Sequence, residues 1–377
     1  MGFADGPLGS PAMSGTELIP TQLVGSWCKP QWLADHDLAY GPEGSWWRLP
    51  AERLPEALDD AVRLAVYDQE RAGLSRVTDG EQRRQSFSGY FYSLGGIDVV
   101  HPGEVTDFSS DVTGYLTMKQ RAVTSDDEGK PAPPPKFTQP RVTGPITWPG
   151  PLLGEATEFL LSHTSRPVKV TAIGPVTLSL RLVDEHYGSR PELAFAVADA
   201  INAELRALAA AGVSVVQLDE PEVHFRYSQV ADFAVEAIDR ALAGVECETA
   251  VHMCYGYSRN IAEKRSTPVY GDALELLAST TADEISLEFA QPGHSPDLLQ
   301  RAGDKRVAVG VLNLDTEAGI ETEADVLRIA EPALDVLGAK RLALAPDCGM
   351  WFLPRETALG KITAMEAAAR TLRSRHA

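Results

Sequence analysis

The sequence predicts an α/β protein folded as a (β/α)8 TIM barrel, a single domain with an irregular insertion. Three observations predict it. Short β-rich runs alternate with long helical patterns, and the β-rich runs number about eight. Several of those runs are nearly continuous Val/Ile/Leu/Ala, as parallel strands covered on both faces are. No glycine fingerprint follows the first run, which argues against an open dinucleotide-binding sheet.

The predicted strands, in order, are Gln22–Trp27, Arg76–Asp79, Lys169–Ile173, Val213–Asp219, Thr249–Cys254, Glu284–Glu288, Val307–Leu312 and Arg341–Ala345. Helices are predicted between them. Pro55 to Ala72 has proline near its start and Gly73 just past its end, the asymmetry expected of helix termini. Pro191 to Ala211 repeats that pattern with Gly212, and Glu356 to Arg373 forms an Ala/Leu/Met-rich closing helix. Val105 to Pro151 is irregular, with an acidic run at Asp126–Glu128, the proline-rich Lys130–Lys136 and one extra strand at Arg141–Trp148. It reads equally as a surface insertion or as a lid over the site. Residues 1–17 read as a loose Gly/Pro/Ser tail, and residues 18–377 as the barrel. No internal repeat is visible.

Composition narrows the function. Of 377 residues, 34 are Lys or Arg and 53 are Asp or Glu, a net charge of −19. That balance argues against nucleic acid and anionic membrane as partners, since both need a basic face. No apolar run reaches the roughly 18 residues of a spanning helix, and the N-terminus lacks the basic start and apolar core of a secretory signal. A cytosolic protein is expected, with the oligomeric state left open and a homo-oligomer compatible. Four cysteines, Cys28, Cys247, Cys254 and Cys348, then suggest reduced, metal-binding or catalytic roles more than a disulfide framework.

Metal-ligand residue types fall at successive predicted strand ends. His252 and Cys254 stand at i and i+2, so a strand points both to one side. Glu288 closes its run and Cys348 follows the last one. In a parallel barrel every carboxyl end meets at one rim, where active sites are built. One imidazole, two thiolates and a carboxylate suit zinc better than magnesium or calcium. The alternative is a satisfied core histidine with two small buried cysteines. Asp219 and Glu81 also end strands, where paired carboxylates can hold an ammonium group or act as acid and base. Glu220 reads instead as a helix-start acid. Arg83 and Arg84 are potential anion binders, although solvent-facing arginines are the commoner case. Tyr255, Tyr257 and Trp351 flank the ligands as pocket wall or plain packing. Cys28 has no marked partner spacing, and Cys247 reads as structural.

Seven motifs occur in order: Gly25-Ser26, Asp79-Gly-Glu81, Ile173-Gly-Pro-Val-Thr177, Gln217-Leu-Asp-Glu-Pro221, His252-Met-Cys-Tyr255, Ile285-Ser-Leu-Glu288 and Pro346-Asp-Cys-Gly349. Together they resemble the catalytic, C-terminal half of cobalamin-independent methionine synthase, from about Leu18 to the last helix. The resemblance implies a zinc-holding (β/α)8 barrel in which His252, Cys254, Glu288 and Cys348 are the zinc ligands. It also implies that Ser26, Glu81 and Asp219 hold the amino-acid part of homocysteine. The implied partners are a small-molecule thiol and an alkyl donor. The sequence departs from the family in two respects. It has no room for the family's second barrel, and Val311-Leu-Asn-Leu-Asp-Thr316 lacks the histidine that the family carries there. The donor is therefore expected to be simpler than polyglutamyl methylfolate. Epoxyalkane:coenzyme M transferase, a single zinc barrel adding a sulfonated thiol to an epoxide, is the alternative. A sulfonate would call on Arg83 or Arg84, so the presence of both Glu81 and Asp219 favours an amino-acid thiol.

Overall fold

The computed structural model of the chain describes residues 17–38, 45–86, 88–105, 137–256, 269–315 and 318–376. Its helices are α1 (Leu54–Ala72), α2 (Gly154–Leu161), α3 (Pro175–Leu180), α4 (Arg190–Ala210), α5 (Ala234–Leu242), α6 (Tyr270–Ala278), α7 (Glu323–Leu337) and α8 (Arg355–His376). Its strands are β1 (Gly95–Val105), β2 (Phe137–Thr147), β3 (Lys169–Ile173), β4 (Val183–Asp184), β5 (Val215–Asp219), β6 (Glu248–Met253), β7 (Glu284–Leu287), β8 (Arg306–Leu312) and β9 (Leu342–Pro346).

Six of these strands form one parallel sheet in the order β3-β5-β6-β7-β8-β9. Two short extended segments complete the ring. Thr21 bridges Leu344 of β9 in parallel, and Val77 bridges Val168 beside β3. Between the two, Ser75 and Arg76 both donate their amides to the Thr21 carbonyl, at 3.0 and 3.2 Å. The sheet thus closes on itself as a (β/α)8 barrel, with the predicted first and second strands reduced to single bridges. Among the described residues no helix is long and apolar enough to cross a membrane.

The helices start and stop where their sequences dictate. α1 begins with proline in its first turn and ends on Gly73, whose φ of 94° a residue with a side chain rarely adopts. The Ser189 hydroxyl caps α4 by accepting from the Glu192 amide, and Thr322 with Asp325 forms a reciprocal capping box on α7. β3, β7 and β9 are buried along their whole length, as strands between a barrel interior and an outer helix layer must be.

The region from 95 to 147 differs from expectation. β1, not foreseen as a strand, pairs antiparallel with β2, and β4 joins β2 in parallel to make a small second sheet. The predicted extra strand is the later part of β2. The acidic and proline-rich runs between β1 and β2 lie outside the described residues, as does Tyr257.

Candidate metal and substrate site

Register places the site. Asp219 of β5 pairs with His252 of β6, and His252 with Ser286 of β7, so side chains from neighbouring strand ends share one rim. His252, Cys254 and Cys348 come together there, with one ligand atom from each within 4.8 Å of the others. The two sulfurs are 3.5 Å apart as free thiols. Glu288, the fourth predicted ligand, follows β7 directly. Its Oε2 accepts the Tyr255 amide at 2.8 Å.

His252 is held in one tautomer. Its Nδ1 lies 3.2 Å from the Ser286 carbonyl and 3.1 Å from the Ser286 hydroxyl. A carbonyl only accepts, so Nδ1 carries the proton and Nε2 keeps its lone pair. Nε2 is buried without a hydrogen-bond partner. Burial pulls the ring's pKa down to about 3, so the imidazole is neutral. The Cys254 thiol is pushed well up by its hydrogen bond to Cys348 and by burial. Without metal Cys254 therefore holds its proton.

The carboxylate half lies in the same cleft, which Ser26, Glu81, Asp219, His252, Cys254 and Cys348 help line. The Ser26 hydroxyl is buried and has no partner. Glu81 adopts a positive φ of 55°, a rare and costly conformation for a residue with a side chain. Its Oε1 accepts from the Thr171 hydroxyl at 2.7 Å. A Cβ on Gly25 would run into that carboxylate and, at 2.9 Å, into the Thr171 methyl, so only glycine lets the chain pass so close. Asp219 accepts from Gln217 at 2.7 Å, yet burial and then the nearby Glu81 charge push its pKa up to about 8. Glu81 and Asp219 thus line the same buried cleft, with the Glu81 charge disfavouring that of Asp219.

The structure corrects the arginine reading. Arg84 is buried, donating to the Thr171 hydroxyl and carbonyl at 3.0 and 2.9 Å and standing 3.6 Å from Glu81. Arg83 pairs with Asp59 and covers the Phe159 ring at 4.8 Å. Glu220 is structural, as expected, but for a different helix. Its carboxylate accepts from the Val176 amide and from the Thr177 amide and hydroxyl at the start of α3. Tyr255 stacks on Tyr270, and Trp351 packs edge-on to Trp46 and His36.

Several contributors escaped the sequence reading. Asp347, beside Cys348, accepts the amides of Phe289, Ala290 and Gln291 and so fixes the turn after Glu288. The Tyr270 hydroxyl contacts the carbonyls of Met253 and Glu288, each at 3.1 Å, fastening the two strand ends that carry Cys254 and Glu288. For Asp347 the adjacent cysteine was a signal. For Tyr270 there was none.

A parallel barrel that gathers an imidazole, two thiols and two carboxylates at its carboxyl rim has an enzyme-like site whose nitrogen and sulfur donors are of the kind that can hold a metal ion. The comparisons name the family. Residues 19–371 match the cobalamin-independent synthase catalytic domain, and the chain belongs to that family. It is 29% identical to a methionine synthase of Sulfurisphaera tokodaii, over 94% of this chain and 92% of that protein. A B12-independent methionine synthase from Shewanella sp. W3-18-1, solved in complex with selenomethionine, superposes with a TM-score of 0.81 at 32% identity. That match covers 95% of this chain and 99% of the other. A putative vitamin-B12-independent methionine synthase from Listeria monocytogenes, 19% identical with a TM-score of 0.69 and covering 95% of this chain and 99% of its own, shares the fold. The first two relatives match over nearly their whole length, so a second barrel is not part of what they share with this chain.

Proposed function

We propose that this enzyme transfers a methyl group to the sulfur of homocysteine, giving methionine, with zinc held by His252, Cys254, Glu288 and Cys348. The observation that carries the reading is the presence, in one cleft, of the imidazole–dithiol set and the Glu81–Asp219 pair. The donor set fits the ion. A neutral imidazole with an unpartnered buried Nε2 beside two thiols is the nitrogen and sulfur chemistry zinc prefers. Zinc bound there would supply the positive charge that lets a coordinating thiol exist as thiolate at neutral pH.

The chain's own residues do the rest. Glu81 and Asp219 bind the substrate ammonium, and the unpartnered Ser26 hydroxyl is free to donate to its carboxylate. Held at both, homocysteine has its sulfur directed to the thiol end of the cleft, and alignment of nucleophile with donor lowers the barrier. The new bond joins that sulfur to the methyl carbon as the donor's bond to the methyl breaks, and the thiol proton leaves to solvent. Val311–Asp315 offers no histidine to serve the donor, and a charge of −19 does not attract a polyanion. Both support a donor simpler than polyglutamyl methylfolate. The same reading takes residues 18–377 as one catalytic domain.

The coenzyme M reading loses its cations. Arg84 is committed to Thr171 and Glu81, and Arg83 to Asp59 and Phe159. Calorimetric titration of zinc-loaded protein in buffers of different ionisation enthalpy tests the choice. Homocysteine should bind with release of about one proton, while coenzyme M should bind at least tenfold more weakly. Tighter binding of coenzyme M would overturn the assignment.

A further inference from the structure

Lys29 is not used in the reading above, yet few side chains near the cleft are so fully engaged. It is buried, and its three ammonium protons go to three carbonyls of one turn: Glu81 at 2.8 Å, Gln82 at 2.9 Å and Arg84 at 2.8 Å. The ring of Trp46 stands 4.8 Å from the ammonium and that of Trp47 5.4 Å. The Lys29 amide donates to the Trp351 carbonyl at 2.8 Å. Lys29 follows Ser26 by three residues, and Trp351 follows Cys348 by three. One residue therefore ties together the segment bearing Ser26, the turn bearing Glu81 and the loop bearing Cys348.

The gripped turn is the strained one. Glu81 has a φ of 55°, a conformation that a residue with a Cβ leaves when nothing holds it. The side chains of Thr171 and Arg84 steady the carboxylate end of Glu81. Its amide donates to the Asp79 carboxylate at 2.8 Å and its carbonyl takes the Arg84 amide at 3.0 Å, and the Lys29 ammonium alone joins the carbonyls of Glu81, Gln82 and Arg84. We propose that Lys29 is a positioning residue for the amino-acid thiol: by gripping these three carbonyls it holds Glu81 in the left-handed turn from which its carboxylate enters the cleft beside Asp219. Without that grip the turn relaxes and the carboxylate withdraws. The cleft then loses recognition of the substrate ammonium while its thiol end is unchanged. The inference rests on the assignment of Glu81 to the ammonium group.

The test compares two ligands of zinc-loaded protein by calorimetry: homocysteine, and 4-mercaptobutanoate, which is homocysteine without its amino group. Four proteins are titrated: the unaltered chain, Lys29→Met, Glu81→Gln and the double variant. Lys29→Met should keep its zinc, bind homocysteine about tenfold more weakly, and bind 4-mercaptobutanoate within about twofold of the unaltered protein. Added to Glu81→Gln it should weaken homocysteine no further, because residues acting through one contact are not additive. If Lys29→Met weakens both ligands equally, or its effect adds fully to that of Glu81→Gln, the proposal is overturned and Lys29 is only structural. If Glu81→Gln itself treats the two ligands alike, the assignment of Glu81 falls and the proposal falls with it. Should Lys29→Met not fold, Trp46→Leu removes one ring facing the ammonium and leaves the carbonyls paired. It should weaken homocysteine about threefold and spare the analogue; equal loss for both overturns the proposal.

Discussion

Cys254 and Cys348 face each other as thiols, and each must lose its proton before it can bind a metal. Mutual hydrogen bonding and burial hold the Cys254 proton tightly, so zinc competes with hydrogen ions. The sign follows: below neutral pH the protons win, and the apparent zinc affinity of metal-free protein should rise about tenfold per pH unit for each proton displaced. Chelator competition at several pH values measures the slope, and a flat profile would remove both thiols from the ligand set. Cys348→Ser should lose most bound zinc and all methyl transfer, read by metal content and product formation. A fully active, metal-free Cys348→Ser protein would sink the zinc reading. His252 needs no such competition, because burial already keeps it neutral.

At the scale of elements, Glu220 shows how a strand end is locked to the next helix. Its buried carboxylate takes the first free amides of α3, where an acid also suits the helix dipole. Gly174 lies against it so closely that any Cβ would collide with the carboxyl group. Removing the acceptor in Glu220→Ala should cost about 3 kcal/mol in urea unfolding, since buried donors would go unpaired. The pH dependence runs opposite to that of an ordinary paired acid. Burial outweighs the hydrogen bonds from Thr177 and Val176 and pushes the Glu220 pKa up to about 7, from 4.5. Between those values the folded state holds a proton that the unfolded state has lost, so this residue's contribution falls as pH rises from 4.5 to 7. The stability gap between the unaltered protein and Glu220→Gln should therefore shrink by about 1 to 3 kcal/mol from pH 4.5 to pH 8. A widening gap would contradict the account.

What the sequence made legible follows the same scale. That His252 and Cys254 lie together could be read because a strand's period of two aims them to one side, and that Cys348 joins them because strand ends in a parallel barrel meet. Contacts made only by closing the ring left no local trace. Lys29 meets Glu81 across 52 residues, and Arg84 meets Thr171 across 87, so Arg84 read as a surface charge. β1 was missed because it contains three glycines and a proline and pairs irregularly, with shifts between Gly95 and Ile97 and between Asp98 and Gly103. Its partner lies beyond a long intervening stretch.

Across the whole molecule the barrel has a chemical rim and a structural floor. At the floor, where strands begin, Arg76 donates to both Glu248 oxygens at 2.8 and 2.7 Å and stands 3.5 Å from Glu284. Arg306, at the start of β8, meets Glu248 at 2.6 Å, and the Gln22 side-chain amide donates to Glu284. The group joins the starts of β6, β7 and β8 to the two short segments that close the ring. Those segments have only single bridges of backbone pairing, so side chains must supply what the ladder lacks. Arg76→Met leaves fully buried Glu284 without its nearest strong cation. The expected loss is about 3 kcal/mol, the cost of a buried charge left with only Arg306, 4.0 Å away, and Lys169 rather than the value of the pair. Pairing it with Glu284→Gln should recover part of that loss, because the stranded charge is then gone. Homocysteine affinity of the folded Arg76→Met protein should stay within about twofold, since residues at the amino ends of barrel strands serve stability and those at the carboxyl ends serve chemistry. Urea unfolding and calorimetric titration on the same preparations separate the two. A large loss of affinity with unchanged stability would mean that floor and rim are coupled through Lys169, which lies between Glu284 and Asp219 in charge and holds the Leu23 carbonyl at 3.0 Å. The double variant would then restore binding.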